Sequence, residues 1–402
     1  MEPAMNGRMK GDVMSTIRFP LFKLLGFRIN IDISLFLLAA LLIFNLGARY
    51  FPGAVPGIDM TLAYTLGAIG ALGLFGSIVF HELAHAVVAR RFDVGVGGIT
   101  LFIFGGVAEM TEEAPTPKAE FWIAIAGPIA SLLLAAAIFL IGAVFDAAAG
   151  PELGALLTYL AVINAILAVF NMIPAFPLDG GRILRSILWW FNGDLLKSTR
   201  ISSTLGVLLG YGFVALGAFT IFQGGLTGGL WYVLIGFFVV MAARQSRLYT
   251  EITSSLKGVP ISRFLKIEGM TIPIGVTLKE AADAFFARHY LRRFPVLDES
   301  GEFRGMLSLK AMLKVKKTDW ERTTVGSVVE AIDPGAAFTL DIDALHALLA
   351  MQDAGVMEMP VVEGGRLLGI VEQRDLINYH AVQMEFAAAG GEDNKAERET
   401  TA

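Results

Sequence analysis

The 402-residue chain has no cysteine, which removes disulfides, thiolate metal ligands and cysteine nucleophiles together. Histidine is nearly as scarce, with five in all, at positions 81, 85, 289, 346 and 380. Charge is sparse too: 17% of residues are Asp, Glu, Lys or Arg against 55% hydrophobic, and the mean hydropathy is +0.62. That balance excludes an ordinary soluble enzyme and points to a membrane protein. The net charge is -5 and no basic block interleaved with aromatics occurs, so nucleic acid is excluded as a partner. What is plentiful, 44 Gly, 29 Phe and 15 Met, suits helices packed closely in lipid.

The apolar residues fall in the first ~245 positions, in runs that approach the roughly 20 residues needed to cross a bilayer. Six spans are expected, near Ile31 to Leu46, Leu62 to Val88, Phe121 to Val144, Leu156 to Phe176, Ser203 to Phe222 and Leu230 to Ala243. Before the first lie Arg8, Lys10, Arg18, Lys23 and Arg28, a pattern foreign to a cleaved signal peptide, so residues 1–28 read as a retained cytoplasmic arm. Basic residues resist translocation and therefore set orientation. Arg90, Arg91, Lys118, Arg182, Arg185, Lys197, Arg200, Arg244, Arg247 and Lys257 follow the even-numbered spans, whereas Arg49 is alone after the odd ones. Both termini are expected in the cytoplasm, with residues 29–248 as the membrane domain of a plasma-membrane protein.

Within the second span, His81-Glu82-Leu83-Ala84-His85 forms an HExxH motif. On a helix the i, i+4 spacing stacks both imidazoles on one face, where one metal ion can bridge them. A glutamate in a spanning helix costs on the order of 2.5–3.5 kcal/mol and needs a partner, cavity or metal. The bland alternative, two core histidines satisfied by backbone hydrogen bonds, leaves Glu82 unexplained.

A metal needs a third protein ligand, and with no cysteine and no further membrane histidine it must be a carboxylate. The fourth span ends in "FNMIPAFPLDGGR", where Pro174 and Pro177 stop the helix and Asp179-Gly180-Gly181 permits a turn toward a neighbour. Spans two and four run in the same direction, so His81, His85 and Asp179 are expected at one depth; Asp179 as a plain Asp-Gly turn residue is the competing reading. Two His and one Asp leave a position open for water, which marks a catalytic site. Glu82 then serves as general base, and the reaction is peptide hydrolysis. The same ligand set suits Fe(II), but the adjacent glutamate favours hydrolysis and zinc. Asn171 can hold substrate or a developing oxyanion, or make an interhelical hydrogen bond. "ITLFIFGGVAEM", with Gly105 and Gly106 at its middle, suits a re-entrant hairpin that offers substrate a strand edge, or a packed Gly-Gly turn. "FQGGLTGGL" reads as a connector that lets the last two helices shift to admit substrate, or as a plain flexible link.

Taken together, HELAH, "NMIPAFPLDGGR", "FGGVAEM" and "AEFWIAIAGPIAS" resemble the site-2 protease family of intramembrane metalloproteases. The resemblance implies His81, His85 and Asp179 as zinc ligands, Glu82 as general base and Asn171 as a substrate or oxyanion contact. It implies single-pass transmembrane proteins as substrates.

From Val259 the pattern becomes short β-branched runs alternating with amphipathic helices, and it repeats once, over 259–316 and 325–381. Each copy runs helix, Pro-Val strand (Pro295-Val296, Pro360-Val361), turn, Gly-led strand (Gly305, Gly369) and helix. The pair resembles tandem CBS domains, as in the sporulation-factor branch of the same proteases. The fold class expected is thus a polytopic α-helical membrane protein with six transmembrane helices and a C-terminal cytoplasmic α/β tandem CBS module, followed by a disordered tail over 382–402. The CBS resemblance implies an adenine nucleotide at Ser308 and Asp375, but Ala311 and Glu372 depart from that pattern, and Glu372 would repel phosphate. A structural module that forms a homodimer is the alternative. A CBS-regulated metal or ion transporter is the competing function, although one buried cluster offers no continuous polar route through the bilayer.

Overall fold

The structure, a computed structural model, describes residues 18–110, 113–266, 271–289, 291–331 and 337–383. The expectations for the start of the N-terminal arm and for the tail beyond 383 lie outside the described residues. The chain divides between Thr250 and Glu251 into two compact units.

In the first unit, six helices among the described residues are long and apolar enough to cross a membrane. They are α1 (Ser34–Ala54), α2 (Met60–Arg90), α3 (Pro117–Val144), α4 (Gly150–Asn171), α6 (Leu195–Phe222) and α7 (Leu226–Leu256). A shorter helix, α5 (Asp179–Asn192), stands between α4 and α6. Local signals set the ends. Asp59 caps α2 by accepting from the Leu62 N–H, and Thr116 caps α3 by accepting from Ala119 with Pro117 at the first helical position. Gly150, at φ 73°, breaks what would otherwise be one helix into α3 and α4. Leu72, Leu133, Phe139 and Phe222 are at least 65% exposed, a placement that suits lipid and not water.

The arm is more than an arm. Its second half forms β1 (Arg18–Leu24) and β2 (Phe27–Asp32), which join β3 (Val96–Phe102) and β4 (Gly105–Met110) in one sheet of order β1-β2-β3-β4. β2 and β3 run parallel, with Ile29 opposite Ile99, and the other pairs are antiparallel. Phe27, Ile29 and Ile99 pack on Leu83 and Ala86 of α2, so the sheet holds α2 while His81 and His85 are presented elsewhere. The alternation in "RINID" was hidden because it abuts the first apolar run.

The glycines near the last two spans also act otherwise than expected. Only Gln223, Gly224 and Gly225 separate α6 from α7, and Gly228 and Gly229 are helical. A Cβ on Gly210 would lie 2.6 Å from Val240 Cγ2, and one on Gly236 would lie 2.6 Å from the Gly210 carbonyl. These glycines let two helices touch backbone to backbone, the usual means of close packing in lipid.

The second unit carries the repeat. Its first copy holds the helical stretch α8 (Leu278–Ala281 through Ala287–His289) and strands β5 (Ile272–Pro273), β6 (Arg293–Leu297) and β7 (Phe303–Ser308), followed by α9 (Leu309–Met312). Its second holds α10 (Ala344–Ala354), β8 (Glu358–Glu363), β9 (Arg366–Glu372) and a helix, α11, over 373–383. The tail expected from 382 therefore begins inside a helix. Leu256, just before the first copy, and Ile261 and Phe264, at its start, pack in the core of the second, beside Leu348, Val361 and Leu376. Lys266 and Ile370 exchange both backbone hydrogen bonds at 3.0 Å. The two copies therefore share one chain crossing and form a single module.

Gly210→Leu should wedge α6 from α7 and lower the stability of the membrane unit by about 1–3 kcal/mol. Gly212, which has nothing within 4 Å of its would-be Cβ, is the control. Melting of the detergent-solubilised protein checks the pair: Gly212→Leu should leave Tm unchanged.

Candidate metal centre

Two helices bring the three ligands expected from sequence to one point. His81 and His85 lie one turn apart on α2, both 3% exposed. Asp179 opens α5, so the Asp-Gly-Gly segment is the first turn of a helix and not the free turn expected. Gly180 and Gly181 make that possible. A Cβ on either would lie 2.4 Å from the Met172–Phe176 backbone, so the first turn of α5 presses onto the preceding loop, which contains the cis Phe176-Pro177 bond.

His81 Nε2 lies 3.0 Å from Asp179 Oδ2, His85 Nε2 lies 3.3 Å from the same oxygen, and the two Nε2 atoms are 3.1 Å apart. Among the described residues these three are the one His/Asp/Glu group able to offer ligand atoms within 4.8 Å of one another. The groups behind them fit a metal. His85 Nδ1–H donates to the Ile123 carbonyl at 2.6 Å, which can only accept, so the Nε2 lone pair is directed inward. His81 Nδ1 pairs with buried Ser131 Oγ at 2.9 Å. Between the imidazoles stands Gly127, where a Cβ would fall 2.2 Å from His85 Nε2 and 2.5 Å from His81 Nε2. Only a residue without a side chain leaves that space free.

Glu82 faces the hairpin. A Cβ on Gly106 of β4 would lie 2.7 Å from Glu82 Cγ and 3.2 Å from Glu82 Oε1, so the strand backbone passes directly over the carboxylate. Gly105 turns there with φ 132°, and among the described residues β4 pairs with β3 alone, leaving its outer edge open. The segment is thus a hairpin arm and not a closed Gly-Gly turn. Asn171 ends α4, and its amide donates to the Leu167 carbonyl of its own helix at 3.0 Å; no hydrogen bond joins it to the His-Asp group among the described residues. Ser131, Ile123 and Gly127 were missed from sequence as functional positions, although "IAIAGPIAS" carried the signal: spacings of four residues keep all three on one helix face.

The residues proposed for nucleotide are used internally. Ser308 Oγ caps α9 by accepting from the Ala311 N–H at 3.0 Å. Asp375 binds Lys266 Nζ at 2.6 Å, and Glu372, 2% exposed, binds the same ammonium at 3.0 Å. Burial alone would lower the Lys266 pKa, but the two carboxylates outweigh it and hold the ammonium above the usual lysine range.

A hydrolytic metal centre inside an apolar helical unit defines a narrow class, the membrane-embedded metalloproteases. The family model "Peptidase family M50" matches residues 69–148 and 145–217, and "CBS domain" matches 263–317 and 330–381. The zinc metalloprotease Rip3 of Mycobacterium tuberculosis is 34% identical over 89% of this chain and 91% of its own length. A zinc metalloprotease of Methanocaldococcus jannaschii is 29% identical over 89% of this chain and 94% of its own. A site-2 protease structure from that organism is 32% identical over 57% of this chain and 95% of its own, with a TM-score of 0.42. The chain belongs to Peptidase family M50. It is a multi-pass membrane zinc metalloprotease with a CBS pair, and these relatives do not favour the transporter reading.

Gly127→Ala should place a methyl group among the imidazole nitrogens and reduce bound zinc to near zero while Tm of the metal-free protein stays within a few degrees. Elemental analysis alongside thermal melting checks this.

Proposed function

We propose that the protein hydrolyses a peptide bond in or near the transmembrane segment of single-pass membrane proteins, with His81, His85 and Asp179 holding zinc and Glu82 acting as general base. The observation that carries the reading is the passage of an open-edged strand, β4, over Glu82 beside the His-His-Asp group. A substrate helix shields its peptide bonds, so it must unwind, and an extended segment then finds on β4 an unpaired row of backbone donors and acceptors.

Zinc, when bound, supplies Lewis acidity toward water and the scissile carbonyl. His85 is held by Ile123 and His81 by Ser131, so both imidazoles keep their orientation as ligands. Glu82 takes the proton of the attacking water and returns it to the departing amine nitrogen. Gly106, by its lack of a side chain, lets the strand lie close enough to set the substrate against that carboxylate. Asn171 keeps its second amide hydrogen and its Oδ1 for substrate while the first hydrogen is bonded to Leu167.

The basic residues support a plasma-membrane orientation with both termini in the cytoplasm. For the CBS module we infer control of the protease, with the adenine nucleotide as the candidate signal and self-association as the alternative. A nucleotide at Asp375 meets a carboxylate whose Oδ2 already holds Lys266.

Glu82→Gln should abolish cleavage of a co-expressed single-pass substrate, by roughly 10²–10⁴-fold or more, while zinc content stays that of wild type. Undiminished cleavage would overturn the assignment. Calorimetric titration of the full-length protein with ATP and AMP should give heat if the CBS pair binds nucleotide; no heat with either ends that reading.

A further inference from the structure

Outside the site just described, the membrane unit buries an ion pair that nothing in the chemistry above uses. Arg185 of α5 is 7% exposed and Glu120, in the first turn of α3, is fully buried. Arg185 Nε donates to Glu120 Oε1 at 2.6 Å, and its Nη2 meets the same oxygen. Nη1 reaches Thr199 Oγ1 and Thr250 Oγ1, each at 3.4 Å, and lies 3.7 Å from Glu113 Oε1. The guanidinium also lies over the Phe176 ring, 5.1 Å from its centroid. One side chain therefore joins α3, α5, α6, the end of α7 and the loop that leads into Asp179.

A buried pair of this kind costs desolvation and is seldom retained for stability alone. Its placement supplies a reason. Glu120, Ile123, Gly127 and Ser131 recur at three and four residues along α3 and so form one stripe. Ile123 and Ser131 hold His85 and His81. Glu120, at the start of the same stripe, holds α5, and Asp179 is the first residue of α5.

We propose that Arg185 is a positioning residue for the metal centre: through Glu120 it locks α5 to the stripe of α3 that already orients both imidazoles, and so fixes Asp179 at the metal. Arg182, whose guanidinium reaches Met110 Sδ at 3.4 Å, adds a lighter tie to β4 but does not reach α3 among the described residues. Lysine cannot replace arginine here, because a point charge cannot serve Oε1, two threonines and an aromatic face from one planar fork. Thr250 is the last residue of the membrane unit, so the end of α7 sits on the same guanidinium as the loop that precedes Asp179.

This rests on the ligand assignment proposed above, and the experiment separates the two. The full-length, metal-free protein in detergent is titrated with Co²⁺, and affinity, visible spectrum and metal-induced rise in Tm are read for wild type, Asp179→Ala, Arg185→Lys and Arg185→Met/Glu120→Met. Asp179→Ala should lose binding; if it binds Co²⁺ as wild type does, the ligand assignment fails. Arg185→Lys retains the charge and hence the fold. It should bind Co²⁺ roughly 10–100-fold more weakly, the range for groups that hold metal ligands in place, with an altered spectrum and a smaller metal-induced rise in Tm. The double variant removes both buried charges, leaves Glu113 partly exposed and bonded to Thr250 Oγ1 at 2.7 Å, and should show the same metal defect. Wild-type affinity and spectrum in Arg185→Lys, or in a folded double variant, would reduce the pair to a structural one and overturn the proposal. If the double variant does not fold, Arg185→Lys decides.

Discussion

Everything in the membrane unit depends on holding two imidazole nitrogens and a carboxylate oxygen within 3.3 Å of one another among apolar helices. Left to itself such a cluster relaxes: helices slide and side chains choose other rotamers, because lipid gives no hydrophobic penalty for separation. The chain resists this with bonds that leave little freedom. The HExxH spacing fixes the imidazoles relative to each other, and α3 fixes them relative to the bundle through Ile123 and Ser131. The sheet clamps the opposite side of α2 through Leu83 and Ala86. Asn164 adds an anchor one turn ahead of the motif, its amide donating to Ser77 Oγ at 2.9 Å.

What could be read from the sequence follows from how local each determinant is. HExxH is a five-residue signal on a single helix, and the six spans are runs of composition, so both were plain. Asp179 was reached by elimination, since a chain without cysteine and with two membrane histidines had few other ligands. Its helical setting was not legible, because Gly180 and Gly181 look like a turn unless the loop they press against is known. The same ambiguity misled the reading of "FQGGLTGGL": small residues serve flexibility and tight packing alike, and only the neighbour decides. β1 and β2 were lost for a different reason, their alternation being too short to stand out beside an apolar span. The Arg185 network is non-local, joining that residue to Glu120 and Thr250, each 65 positions away, and to the still more distant Glu113.

In the CBS module the departures from the family pattern compensate each other. Glu372 stands where a hydroxyl would face phosphate, and alone it would be a buried, uncompensated carboxylate. Lys266 and Arg374 both pair with it, and Lys266 also takes Asp375, so one ammonium bridges the two acids. The lysine reaches them because the start of the first repeat crosses into the second, the crossing that also sends Ile261 and Phe264 into that core. The substitution and the crossing are therefore one arrangement.

The two requirements of the chemistry, water at a metal and an unwound substrate, meet at Gly106. A larger residue there would push β4 from Glu82, since a Cβ would already lie 2.7 Å from Glu82 Cγ. That close approach couples the strand to the carboxylate: drawing β4 outward uncovers Glu82. Arg182 connects the end of the same strand, at Met110, to the first turn of the helix that carries Asp179. The strand thus touches both Glu82 and the helix that Asp179 opens. In the reading proposed above, a substrate strand added along β4 would engage the same backbone that passes over Glu82.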